Sequence, residues 1–95
     1  MNKIEFAWDP IKEGVNRKKH GVSFDEAKTV FYDENAVLFY DEDHAEKEER
    51  FIMLGLSSSL RVLVVCHCYI DKHKVIRIFS ARKATAKEAK HYPGG

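Results

Sequence analysis

Long apolar runs are missing from this chain. Its apolar stretches, such as Val62–Cys66 (VLVVC), are strand-sized, far below the roughly 18 residues that a membrane span needs. The N-terminal MNKIEFAWDP lacks the apolar core of an export signal, so a cytoplasmic protein with no membrane partner is expected. Cysteine and proline are scarce, at two each in 95 residues. Cys66 and Cys68 stand one residue apart, a spacing that a disulfide would bridge only under strain, and reduced thiols suit the same compartment. Internal repeats and low-complexity linkers are absent too, which leaves a single domain over residues 1–95. A chain this short buries only about 60–65% of its unfolded surface, so it is expected to be compact and modestly stable.

A large net charge is also lacking. At +1 overall, the chain is a poor candidate for sequence-blind coating of DNA. Locally the charge is segregated. Lys12–His20 (KEGVNRKKH) holds four cations and one acid, and Arg77–Tyr92 (RIFSARKATAKEAKHY) holds five cations and one acid. Between them Asp41–Arg50 (DEDHAEKEER) holds six acids and two cations.

The chain is well punctuated. Ile4–Trp8 reads as a short first strand, and Asp9-Pro10 as an N-cap followed by proline at the first helical position. That helix is expected to run from Pro10 to about His20 and to stop at Gly21. Ser23–Glu26 (SFDE) reads as a capping box opening a second helix over Phe24–Phe31. Ala36–Tyr40 reads as a strand, and the acidic segment as a loop. Arg50–Ser57, Leu60–Ile70 and Lys74–Ala81 follow as strands joined by turns short enough for antiparallel pairing. Thr85–Glu88 (TAKE) is another capping box, starting a last helix near Ala86 that ends by Pro93. The expected architecture is α+β: an antiparallel sheet of about four to five strands, two N-terminal helices and one C-terminal helix, with one sheet face partly open.

Three constellations carry chemistry. Cys66, Cys68 and His73, with His44 as a fourth donor, contain ligand types that zinc accepts. Cys-x-Cys on a strand is not a knuckle spacing, however, and cysteine in an apolar strand is ordinarily core filling, so no metal or other cofactor is expected. Arg77 and Arg82 bracket the end of the last strand, where guanidinium forks suit phosphate oxygens. Alternation there puts Val75, Arg77 and Phe79 on one face and Ile76, Ile78 and Ser80 on the other. Tyr92 offers a hydroxyl further on. The plainer account of these cations is solubility and pairing with the acidic segment. Lys19 and His20 end the first helix, where cations complement the helix dipole; alternatively His20 is a proton-transfer group. Glu48–Arg50 carries the same ambiguity. Cleavage of RNA without metal needs a base for the 2′-hydroxyl, cations for the phosphorane and an acid for the leaving oxygen. Lys, Arg, His, Glu and Tyr can fill those roles.

The stretches FAWDP, RKKHGVSFDEAKTVF, DEDHAEKEERF, MLGLS and VIRIFSARKATAKEAKHY together resemble the BrnT toxins, from about Phe6 to Tyr92. The resemblance implies a RelE-like ribonuclease toxin of a type II toxin–antitoxin system, acting on RNA to inhibit translation and growth. It also implies a BrnA-like antitoxin partner with a ribbon-helix-helix domain, through which operator DNA is met only indirectly. The family motif falls here on Trp8, Asp9, Lys19, His20, His44, Glu49, Arg50, Arg77, Ser80, Arg82 and Tyr92. It suggests Arg77 and Arg82 for the scissile phosphate, and Lys19 or His20 with Glu49 for proton transfer. Trp8 and Asp9 are better explained by packing and capping. Ala45, where relatives often carry serine, and the uncharged ending after Tyr92 depart from the pattern. The shortened ending and the near-neutral charge motivate an alternative, a catalytically inactive module that binds the antitoxin and acts in autoregulation. Direct DNA binding is a third option, disfavoured because the second helix is too short for a helix-turn-helix.

Overall fold

Asp9 accepts a hydrogen bond from the Ile11 N–H at 2.9 Å and Pro10 takes the first helical position. Helix α1 therefore starts where an N-cap and a preset φ both favour it. It spans Pro10–His20 and stops at Gly21, whose φ of 68° is left-handed and whose N–H reaches Arg17 O at 2.8 Å. Glycine adopts that cap with no Cβ penalty. The computed structural model describes residues 3–44 and 48–94. Ala45 lies outside the described residues, as does the side chain of His44. Among the described residues no helix is long and apolar enough to cross a membrane.

The expected helix Phe24–Phe31 splits in two. Ser23 Oγ accepts the Glu26 N–H at 3.0 Å, but α2 covers only Phe24–Ala27 and tightens into a 3₁₀ turn over Lys28–Tyr32. Thr29 Oγ1 donates to Glu26 O at 2.6 Å, and such back-bonding competes with the α ladder. The Glu26 carboxylate does not complete the expected capping box. It accepts from Ser57 Oγ at 2.6 Å and from the Arg61 guanidinium instead, since a charge-assisted fork outcompetes a backbone N–H. Arg61 also donates to Gly21 O at 3.1 Å, so one guanidinium ties the α1–α2 corner to the sheet.

Five strands make the sheet: β1 (Glu5–Ala7), β2 (Val37–Tyr40), β3 (Phe51–Leu56), β4 (Val62–Ile70) and β5 (Val75–Lys83), in the order β1-β5-β4-β3-β2. The pairs from β2 to β5 are antiparallel, as expected, but β1 lies parallel to β5 with Glu5 opposite Val75. The sheet is thus mixed. The chain leaves β1 through α1 and α2, and a strand reached by a helical crossover need not pair as a hairpin does. Past Ala7 the edge of β5 is taken over by Asn16 of α1, which is buried. Its amide donates to Ala81 O at 2.8 Å and to Val22 O at 2.9 Å, and accepts the Ala81 N–H at 3.1 Å. A side-chain amide thereby continues the ladder that β1 leaves unfinished, and α1 is fixed beside the end of β5. Helix α3 is one turn, Ala86–Ala89, with the Thr85–Glu88 capping box present.

The register contains one slip. Cys66 pairs with Ser80 while His67 pairs with Ile78, so Phe79 is an extra residue in β5. A bulge reverses the alternation beyond it. Ser80 therefore does not share a face with Ile76 and Ile78, as strict alternation predicts; Ala81 does. Ile76, Ile78 and Ala81 join Leu63, Val65, Val22, Phe24, Ala27 and Val30 in the core between sheet and helices. Trp8 packs against Phe24 with ring centroids 5.8 Å apart. Gly55 lets the 3₁₀ turn lie directly on β3, since a Cβ there would stand 3.1 Å from Val30 Cβ. The opposite face carries a smaller apolar cluster of Leu54, Val64 and Tyr92, and the rest of it is the open face.

Candidate functional site

The bulge is the centre of the site. Phe79 is half-buried, and cations from three separate segments gather on its ring. The Arg50 guanidinium carbon lies 4.1 Å from the ring centroid, Lys12 Nζ 5.5 Å and the Arg77 guanidinium carbon 5.9 Å. Stacking of this kind places like charges together without neutralising them. Arg50 comes from the entry to β3, where its carbonyl accepts the Asp41 N–H at 2.9 Å. Lys12 comes from the first turns of α1, which Asn16 holds against β5. Lys19, His20 and Ser80 line a hollow of about 290 Å³ with Phe79 and Lys12, so the C-terminal end of α1 faces the same bulge. Sequence positions 12–20, 50 and 77–80 thus converge.

One acid accompanies them. Glu48 Oε1 is 3.6 Å from Arg50 Nη2, and its Oε2 is 3.9 Å from the Cys68 Sγ. Burial pushes the Cys68 thiol up, and the Glu48 charge adds to that against the pull of Arg77 and Arg50. Cys68 is therefore held as a neutral thiol on the floor beneath Arg77, its partner across the β4–β5 pair. Arg50 Nε is buried and, among the described residues, has no hydrogen-bond acceptor. A buried guanidinium N–H left in that state is a donor awaiting an acceptor. Arg77 and Glu49 are exposed, and among the described residues no contact ties Glu49 to the ring.

Arg82 and Tyr92 lie further along the open face in a different setting. Arg82 forms a fork on Glu88, Nη1 to Oε1 at 2.7 Å and Nη2 to Oε2 at 2.8 Å. The guanidinium pulls the Glu88 carboxyl down to about 2, and the carboxylate raises Arg82 in return. Tyr92 is buried, and its hydroxyl donates to Asp33 Oδ2 at 2.6 Å, which raises its own pKa. Burial alone would raise Asp33, but hydrogen bonds from Leu56 N–H, Tyr92 and Asn35 N–H outweigh it and lower the carboxyl. Of the residues singled out in the sequence, Lys19, His20, Arg50 and Arg77 are brought together, whereas Arg82 and Tyr92 each hold an internal partner.

Lys12, Cys68 and Phe79 escape sequence reasoning as members of this group, whereas Glu48 is raised with Arg50. The one signal for Phe79 is its place between two arginines in an apolar strand. His67, also unremarked, is fully buried between Phe31, Phe51 and Tyr69. Burial lowers it to about 4, so it is neutral packing beneath the site. His73, in the β4–β5 turn, packs its ring against Tyr69 at a tilt, with centroids 5.8 Å apart. Among the described residues no three His, Cys, Asp or Glu side chains group as metal ligands.

Comparison with known proteins bears on this arrangement in three ways. A family model described as the ribonuclease toxin BrnT of type II toxin–antitoxin systems matches residues 8–88. The fold is similar to the crystal structure of the Brucella abortus ribonuclease toxin BrnT, at a TM-score of 0.68 and 21% identity, covering 87% of this chain and 99% of that one. A search of curated proteins finds no match.

Proposed function

The chain belongs to the BrnT family of ribonuclease toxins of type II toxin–antitoxin systems, and we propose that it is a metal-independent endoribonuclease acting in the cytoplasm. In this reading it cleaves RNA to stop translation and growth until a BrnA-like ribbon-helix-helix antitoxin binds it. The observation that carries the reading is the convergence of Lys12, Arg50 and Arg77 on Phe79 beside Lys19 and His20.

The chemistry follows from that geometry. A phosphodiester laid across the bulge meets two guanidinium groups, Arg50 and Arg77, whose charge is permanent. Attack by the 2′-hydroxyl puts negative charge on the non-bridging oxygens, and preorganised cations stabilise that state more than the ground state. As the P–O2′ bond forms and the P–O5′ bond breaks, one of His20, Lys19 and Glu49 takes the 2′-hydroxyl proton and another protonates the leaving 5′-oxygen, giving a 2′,3′-cyclic phosphate and a 5′-hydroxyl. The reaction needs no redox step and no external nucleophile, since the attacking oxygen belongs to the substrate. Arg82, held by Glu88, and Tyr92, held by Asp33, stand apart from this group.

Expression of the chain alone is expected to arrest growth, and the purified protein to cleave RNA in the presence of chelator. Robust growth at good soluble expression, or cleavage abolished by chelator and restored by a divalent ion, contradicts the reading. The antitoxin is expected to cover Arg77 and Arg82, since closing that face to RNA is the simplest inhibition; a complex leaving both open contradicts that. A second reading, an inactive antitoxin-binding module, is favoured by the internal commitment of Arg82 and Tyr92. Tight partner binding without RNA cleavage would select it.

A further inference from the structure

The open face has a second hollow, which the phosphate chemistry does not use. Ile52, Leu54 and Val64 floor it, Phe39 walls it, and Arg82, Glu88 and His91 rim it, around a cavity of about 210 Å³. That is smaller than the roughly 300–1,000 Å³ of sites for drug-sized ligands, and it suits a single planar ring system. Phe39, 42% exposed, presents an aromatic surface of the kind on which bases stack.

The rim decides what that ring must carry. Glu88 Oε1 already accepts from Arg82 Nη1 at 2.7 Å and from the Thr85 N–H at 2.9 Å, while Oε2 accepts from Arg82 Nη2 at 2.8 Å. A carboxylate oxygen has two lone pairs and a guanidinium five N–H donors. Oε2 therefore keeps an acceptor site, and Arg82 keeps donors at Nε and Nη2. A phosphate, which only accepts, meets the Glu88 charge as repulsion. A nucleobase edge, where an N–H donor adjoins an acceptor, matches both. Arg82 on its rim stands three residues along β5 from Phe79, about 10 Å at strand rise, a span within reach of a nucleotide adjoining the cleaved bond.

Building on the RNA-cleaving reading, we propose that this hollow holds one unstacked base of the substrate, with Arg82 and Glu88 reading its edge and Phe39 stacking on it. Arg82 is then a specificity residue, and the phosphate belongs to Arg77 and Arg50. Glu88 fixes Arg82 in orientation and supplies the acceptor that a phosphate site would exclude.

The test uses 2′-O-methyl tetranucleotides of each of the four bases, which bind without being cleaved. They are titrated into the full chain and into Glu88→Gln and Phe39→Ala variants, with amide NMR shifts read at Ile52, Leu54 and Val64. Glu88→Gln retains an oxygen for the Thr85 N–H, and Phe39 is a surface side chain, so both variants are expected to fold. The wild-type chain is expected to prefer one base by roughly tenfold or more with shifts at those amides. Glu88→Gln should shrink the preference to within about threefold, and Phe39→Ala should weaken all four oligonucleotides. Absence of binding, equal affinities, a preference unchanged in Glu88→Gln, or shifts that arise only on adding a protein partner would overturn the proposal. The oligonucleotides cannot be cut, so this result is independent of the chelator assay, whose failure breaks the cleavage reading instead.

Discussion

The two ends of β5 carry arginines of the same apparent promise and treat them oppositely. At the bulge, Arg77 and Arg50 crowd one aromatic ring with Lys12, a cluster whose like charges are tolerated because the ring and solvent share the burden. Past the bulge, Arg82 is locked on Glu88 and Tyr92 on Asp33. A cation that meets a carboxylate fork is chiefly structure, or a reader of polar edges. Among the described residues, the cations on the Phe79 ring outnumber the one carboxylate beside them, Glu48, which stands 3.6 Å from Arg50. Under the proposed function, the difference favours the bulge as the place where an anionic substrate binds.

The comparison breaks most readily at Arg77. Removing one preorganised charge from a transition-state site typically slows the reaction by about 10²–10³-fold, so Arg77→Ala is expected to lose that much RNA cleavage per folded molecule. Cleavage rates measured alongside circular dichroism would show it. A loss below about threefold with the fold intact would move the site away from the bulge.

The pH dependence of stability sharpens the contrast between site and scaffold. His67 has a folded pKa of about 4 against a reference of 6.5. Between those values the unfolded chain binds the proton and the folded chain does not, so stability falls as pH drops through that window and is level above it. The full loss from this group is roughly 3 kcal/mol. The lowered carboxyls of Glu26 and Glu88 add their own loss only as pH falls below their reference of 4.5. Urea unfolding between pH 4.5 and 6.5 is expected to show a slope that His67→Phe removes. A slope unchanged in that variant would assign it to other groups.

Tyr92→Phe tests the committed end. It deletes one hydrogen bond from Asp33, which keeps the Leu56 and Asn35 N–H donors, so the expected destabilisation is about 1–2 kcal/mol by urea unfolding. A change near zero would mean that the hydroxyl does not hold the C-terminal segment in place. Lys12→Ala has the smallest expected effect. It should weaken RNA binding a few-fold and lower the slope of log affinity against log salt by about 1. An unaltered slope would place Lys12 outside the phosphate path.

Local signals were legible and long-range ones were not. Asp9-Pro10 and Gly21 delimit α1 as read, and the Thr85–Glu88 box forms as read, because each depends on neighbours within one helical turn. The parallel placement of β1 depends on a partner about 70 positions away, and nothing in IEFAW encodes it. The bulge at Phe79 has no glycine or proline to announce it, yet it moves Ser80 to the other face and builds the site. The Ser23–Glu26 box misleads because Arg61, 35 residues on, competes for the same carboxylate. Tyr92 reads as an available hydroxyl until Asp33, 59 residues earlier, is found to hold it. The cations of the site were thus visible one by one, and their assembly was not.

The most direct test sets Arg77→Ala against Tyr92→Phe in one assay. Initial rates of RNA cleavage in chelator, normalised to folded protein, are expected to differ by about 10²-fold or more, with Tyr92→Phe close to wild type. Equal rates in the two variants, or a larger loss in Tyr92→Phe, would contradict the assignment of catalysis to the bulge.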